Sequence, residues 1–181
     1  MQFETFDIEG LVLIKPTVFE DERGFFMETY SKKRYREEGG IDVEFVQDNH
    51  SRSSKGVLRG LHFQKPPFAQ DKLVRVTQGE VLDIAVDIRK DSPTYGKWKS
   101  IVLSEQNKNI FYIPQGFAHG FLVLSEKCDF EYKVSNYYSK ESEEGIMWND
   151  PDLGVDWGIS EPTVSEKDSK NQAFKELDSP F

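Results

Sequence analysis

The chain is poor in what secretion, membranes and nucleic acids demand. Its 181 residues include one cysteine, Cys128, so no intrachain disulfide can form and a reducing cytoplasm is the economical setting. No run of about 18 apolar residues occurs, and the opening Met1-Gln-Phe-Glu-Thr-Phe-Asp7 has neither a basic n-region nor an apolar h-region. Nothing in it directs the chain to secretion or a bilayer. Positive charge is scarce as well. The 23 Lys and Arg are outnumbered by 32 Asp and Glu, for a formal net charge of −9, which argues against DNA, RNA or anionic lipid, since those partners reward clustered cations. An anionic small ligand stays open, because one diphosphate needs only a few locally convergent cations. Repeats, low-complexity tracts and linkers are also missing, so residues 1–181 read as one domain, long enough to bury about 70% of the surface its unfolded chain exposes.

What is present is strand pattern. In Leu82-Asp-Ile-Ala-Val-Asp-Ile88 the large apolar residues fall at 82, 84, 86 and 88, a period of two rather than 3.6. Further β-rich runs cover 11–14, 25–30, 43–47, 72–76, 99–103, 110–113, 120–124 and 130–134, separated by turn signals such as Gln78-Gly79 and Pro114-Gln-Gly116. Many short strands in one domain predict an all-β, double-sheet jelly roll. Helix is predicted only over Lys32 to Glu38, closed by Gly39-Gly40, and over Lys170 to Leu177. Exposed sheet edges are a hazard that pairing with a second subunit covers, which makes a homodimer plausible.

Three histidines, at positions 50, 62 and 119, carry most of the chemical interest. A single His in a β protein is usually structural. His62 lies three residues from Arg59, an odd offset that puts the two on opposite faces of an ideal strand, but a bulge at Gly60 would bring both to one side. His119 sits in Ile113-Pro-Gln-Gly-Phe-Ala-His-Gly120, read as a turn entering an apolar strand. His50 is read as a satisfied surface side chain in a loop.

Seven runs then appear together: Asp21-Glu-Arg-Gly-Phe-Phe-Met-Glu28, Gln47-Asp-Asn-His-Ser51, Val57-Leu-Arg-Gly-Leu-His-Phe-Gln64, Lys72-Leu-Val-Arg-Val76, Gly79-Glu-Val-Leu-Asp83, Ser92-Pro-Thr-Tyr-Gly96 and Ile113 to Gly120. With Tyr132, Tyr138, Glu143, Asn149-Asp-Pro-Asp152 and Ser165-Glu-Lys-Asp168, they resemble the dTDP-4-dehydrorhamnose 3,5-epimerase family over nearly the whole chain. The resemblance implies a cupin-type jelly roll, a homodimer, and inversion of C3 and C5 of dTDP-4-dehydro-6-deoxy-D-glucose without a cofactor.

By that resemblance His62 is the base, Asp168 its carboxylate partner, Lys72 the cation facing the C4 oxygen and Tyr132 the acid. Arg23 and Arg59 resemble the diphosphate ligands, with Gln47, Asn49 and Lys167 as polar neighbours. Glu28 resembles the thymine contact and Tyr138 its stacking partner. Phe26, His119 and Glu143 resemble further substrate-binding residues, and Arg23 and Glu28 are implied to arrive from the partner subunit. The His-x-His pair that metal-binding cupins use is missing, since positions 60 and 64 are Gly and Gln. Only His62, His119 and Glu80 remain from such a set, too few for the usual transition-metal site. A mono-epimerase, a silent sugar-nucleotide-binding module and a metal-dependent cupin remain as rival readings, and the polar tail after Asp168 is assigned no function.

Overall fold

A computed structural model describes residues 1–181. The strands are β1 (Gln2–Thr5), β2 (Val12–Lys15), β3 (Val18–Asp21), β4 (Gly24–Met27), β5 (Gln47–Ser54), β6 (Leu58–Gln64), β7 (Lys72–Gln78), β8 (Glu80–Asp87), β9 (Trp98–Ser104), β10 (Ile110–Ile113), β11 (Phe117–Val123), β12 (Lys127–Val134) and β13 (Glu143–Gly145), with one helix, α1 (Lys32–Gly39). They form a six-stranded sheet in the order β1-β2-β10-β7-β12-β5, a five-stranded sheet β13-β6-β11-β8-β9, and a separate β3–β4 hairpin. Every strand pair is antiparallel. The two larger sheets face each other as a cupin-type double-sheet jelly roll. No helix is long and apolar enough to cross a membrane.

The period-two pattern of β8 explains the layering. Val81 and Ala85 join Phe111, Phe121 and Phe130 in a core between the sheets, whereas Leu82, Ile84, Val86 and Ile88 belong to a second core on the outer face of the five-stranded sheet. That outer stripe is covered by the C-terminal segment through Ile146, Leu153, Trp157 and Leu177. Each such side chain contributes about 1.5–3 kcal/mol when fully buried. The polar tail is therefore a packed layer, pinned by Lys90 N–H donating to the Phe181 carbonyl at 3.0 Å and by the Ser179 hydroxyl donating to the Ile88 carbonyl. A third core lies under α1, where Tyr35 and Ile41 pack on Val12, Ile14, Leu73, Ile110 and Tyr112. The helix starts at Ser31, whose hydroxyl accepts from Arg34 N–H, and stops at Gly40, which adopts φ 68°, a left-handed conformation that glycine takes without steric cost.

Several expectations need correction. The strand expected over 43–47 begins only at Gln47 and runs to Ser54. This edge strand is entirely polar, Gln-Asp-Asn-His-Ser-Arg-Ser-Ser, and it is held by its ladder with β12 rather than by apolar burial. The expected Lys170–Leu177 helix is two short 3₁₀ turns, Asp168–Lys170 and Phe174–Glu176. Between them Gln172 bridges Ile146 and accepts from Met147 N–H, which leaves the backbone extended. The strand expected over 25–30 ends at Met27, as the chain turns toward α1. His119 lies inside β11, not in a turn, and His50 lies on β5, not in a loop.

Candidate active site

A cavity of about 540 Å³ opens between the two sheets and the C-terminal segment. β6 supplies Arg59 and His62 to it, the two residues whose odd spacing required a bulge. The register supplies one: His119 pairs with His62 and Phe121 with Arg59, so Gly60 and Leu61 together oppose the single residue Gly120. Gly60 adopts φ +132°, and a Cβ there would lie 2.5 Å from the Gly120 Cα. Only glycine admits this approach.

The rest of the wall comes from both sheets. Lys72 on β7 and Tyr132 on β12 enter from the six-stranded sheet, His119 on β11 and Glu143 on β13 from the five-stranded one, and Lys167 and Asp168 from the C-terminal segment. Thus all four residues matched to catalytic roles share one cavity, with Arg59, His119, Glu143 and Lys167 beside them.

His62 Nε2 lies 2.6 Å from Asp168 Oδ1, and the second oxygen, Oδ2, accepts from Gly60 N–H at 3.3 Å. The carboxylate is only 4% exposed. Burial pushes the Asp168 pKa up, but the His62, Gly60 and Ser165 contacts outweigh it and hold the group below its ordinary value. An ionised Asp168 accepts the Nε2 proton, so the neutral ring carries its lone pair on Nδ1. A second pair lies alongside: His119 Nε2 sits 2.9 and 3.1 Å from the two oxygens of Asp83. Burial lowers the His119 pKa, with Asp83 pulling the other way.

Lys72 is half-buried, and no hydrogen bond or ion pair to a protein group engages its Nζ. Burial lowers its pKa to about 8, opposed by Asp83 and Glu143. Burial raises the Tyr132 pKa, keeping the phenol protonated at neutral pH. Glu143 joins two further predicted residues: it accepts from the Tyr138 hydroxyl at 2.7 Å and forms an ion pair with Lys167.

The remaining predicted residues stand apart from this cavity. Gln47 and Asn49 are hydrogen-bonded to each other at 2.8 Å on β5, in the same alternation as the cavity residue Ser51 but beyond it. Arg23, Phe26 and Glu28 belong to the β3–β4 hairpin and the chain just after it, away from this cavity. Arg23 pairs with Asp21 at 2.5 Å, Glu28 with Arg34 at 3.3 Å, and Phe26 is 70% exposed. His50 faces outward, 3.3 Å from Asp129. Asp83 escaped the sequence reading, although the β8 alternation held the signal: the positions between the apolar stripe point inward, not to solvent. Cys128 is buried, and burial raises its thiol to about 12, so it offers no thiolate near neutrality. No group of three or more His, Cys, Asp or Glu converges as a metal ligand set.

The sequence profile of dTDP-4-dehydrorhamnose 3,5-epimerase matches residues 5–176. The chain is 54% identical to the dTDP-4-dehydrorhamnose 3,5-epimerase of Shigella flexneri, over 95% of each chain. Its fold is similar to that of a dTDP-6-deoxy-D-glucose-3,5-epimerase from Legionella pneumophila solved with dTDP-4-keto-L-rhamnose, with a TM-score of 0.94 and 50% identity over 98% of this chain and 94% of that one. It is also similar to a 3′-monoepimerase from Streptomyces bikiniensis solved with dTDP-quinovose, with a TM-score of 0.90 and 30% identity over 97% of this chain and 88% of that one.

Proposed function

The chain belongs to the dTDP-4-dehydrorhamnose 3,5-epimerases, and from that premise we propose how its residues divide the inversion of C3 and C5 of dTDP-4-dehydro-6-deoxy-D-glucose. A hydrogen α to the C4 ketone leaves only if a base reaches it while another group receives the charge that builds on oxygen. His62 is the base, through Nδ1. As it takes the proton, the imidazolium forms 2.6 Å from the Asp168 carboxylate, which stabilises it. Lys72 faces the enolate oxygen with donors that no protein group engages. Tyr132 returns a proton to carbon; the phenolate and the imidazolium then re-equilibrate with solvent, so the sum is an isomerisation and no cofactor enters it.

The observation that carries this reading is that His62 and Tyr132 line one cavity from different sheets. Inversion requires removal from one face of the sugar and return on the other, because return on the same face restores the starting configuration. Groups on opposite walls meet that requirement; two groups on one strand would not.

Arg59 and Lys167 hold the diphosphate, with Gln47 and Asn49 extending the polar strip, while Glu143 and His119 line the sugar end and Tyr138 stacks on the base. Arg23, Phe26 and Glu28 complete the nucleotide site from the partner of a homodimer. The β3–β4 hairpin supports this, since it presents Phe19, Phe25 and Phe26 at 62, 57 and 70% exposure, an apolar surface that a second subunit would cover. The whole chain acts as one domain, in the cytoplasm.

Proton NMR of the ketosugar nucleotide in D₂O tests the assignment by following deuterium entry at C3 and C5. The unmodified protein exchanges both positions, and His62→Ala exchanges neither while still binding dTDP. Near-normal exchange in His62→Ala would remove His62 from its role. Exchange at one carbon alone would align the protein with its monoepimerase neighbour.

A further inference from the structure

The inward positions of β8 include two carboxylates, Asp83 and Asp87, both with no side-chain exposure. They are treated very differently. Asp87 is saturated with donors from Arg89, Ser92 and Thr94. Asp83 has one hydrogen-bond partner, His119, bound through both oxygens. A fully buried anion so thinly solvated is costly, and packing alone would be served as well by an apolar residue. The cavity that His119 lines also holds Lys72, an ammonium that no protein group engages, and the Asp83 carboxylate behind His119 favours its charged form.

We infer that Asp83 is a positioning residue that works through two neighbours at once: it keeps Lys72 charged beneath the enolate oxygen, and it fixes His119 with Nε2–H toward the carboxylate, leaving Nδ1 as the nitrogen free for a ligand. The inference rests on the assignment of Lys72 as the electrophile. Burial strips the Lys72 proton at a pH well below the ordinary lysine value, and the Asp83 charge opposes that loss more strongly than Glu143 does. The other ionisable groups around the cavity are His62 and Arg59 on β6, His119 on β11, Tyr132 on β12, and Lys167 and Asp168 on the C-terminal segment. All of them are retained when Asp83 alone is changed, so the change isolates its charge.

Asp83 raises the Lys72 pKa, and the protonated amine is the active form, so deleting the negative charge makes activity fail at lower pH. In Asp83→Asn, which keeps the size and still accepts from His119, the alkaline limb of kcat/KM moves down by about one pH unit or more. KM at neutral pH changes little, and exchange at C3 and C5 slows together. His119→Gln leaves that limb in place, separating the two routes. If Asp83→Asn folds poorly, the Asp83→Leu/His119→Leu double variant removes both partners of the buried pair and orphans neither. Its limb moves in the same direction. Limbs that overlay the unmodified protein in these Asp83 variants overturn the inference. Lys72→Met is run alongside: if it retains exchange, the electrophile assignment fails, and if it abolishes exchange while the Asp83 limb stays put, only the present inference fails.

Discussion

Replacing Asp168 by Asn tests the arrangement around His62 with almost no change of shape. Asp168 accepts twice, once from His62 Nε2 at 2.6 Å and once from Gly60 N–H at 3.3 Å. A carboxylate satisfies both donors, but an amide has one oxygen and one NH₂. If the oxygen stays on His62, the NH₂ faces the Gly60 N–H donor to donor. If the oxygen turns to Gly60, the NH₂ donates to Nε2, the ring proton moves to Nδ1, and the base loses its lone pair. Either way the imidazolium of the transition state loses a charge-assisted bond worth about 1.5–3 kcal/mol. The tautomer penalty adds to this, so kcat falls by about 10²–10⁴-fold. The assay is exchange at C3 and C5 in D₂O, with KM read from initial rates; KM stays near that of the unmodified protein, because Asp168 acts on substrate only through His62. A kcat within about threefold of the unmodified protein would refute the pairing as a catalytic device.

Three further outcomes follow from the same geometry. Tyr132→Phe keeps deuterium entry at C3 and C5 while net epimerised product falls by about 10²–10⁴-fold, as read by NMR and a coupled reductase; equal loss of both would place Tyr132 outside the reprotonation step. Mixing Arg23→Ala and His62→Ala proteins one to one, with subunit exchange, restores about a quarter of normal activity if each site draws on both subunits, and restores none if the sites are independent. Burial pushes the Asp87 carboxyl up, but Arg89, Ser92 and Thr94 hold it down to about 2, so its folded pKa lies below the unfolded one. It contributes stability above the ordinary carboxylate pKa, roughly 2 kcal/mol, that is lost as pH falls toward 2. Urea unfolding of the unmodified protein and Asp87→Asn therefore differs at neutral pH and converges between about pH 4 and pH 2; a constant gap would show that the charge is not responsible.

The fold was legible where hydrophobic alternation is strong, as in β8 and β10, and where a helix carries its own stop signal, as α1 does at Gly40. It was hidden where polarity has another cause. Strand β5 reads as loop because it carries no apolar residue at all, yet its ladder with β12 runs unbroken from Gln47 to Ser54. The C-terminal segment reads as a polar tail with a helix, yet its few apolar residues, Phe174, Leu177 and Phe181, lie on the outer stripe of β8 and its neighbours. The site was legible by a different route. Periodicity could state what a bulge at Gly60 would do for Arg59 and His62, but nothing local to the chain links His62 to Asp168, 106 positions away. Family resemblance proposed that pair; the packing of the C-terminal segment over β6 is what brings it within hydrogen-bonding distance.

The net charge of −9 and an anionic substrate are reconciled by where the charges sit. Much of the acidity is spent in ion pairs elsewhere, such as Glu4 with Lys15, Glu38 with Arg34 and Asp178 with Lys90. At physiological ionic strength charges more than about 8 Å away are largely screened, so a diphosphate in the cavity responds chiefly to its immediate lining. There Arg59, Lys72 and Lys167 converge with two imidazoles. Of these cations Lys167 is already shared with Glu143, and Arg59 touches only the Ser53 hydroxyl, at 3.1 Å. Arg59 and Lys72 are therefore the cations with unused donors, one exposed and one half-buried. On the roles proposed above, the two sheets that separate the acid, Tyr132, from the base, His62, would also separate the cation for the nucleotide, Arg59, from the cation for the enolate, Lys72.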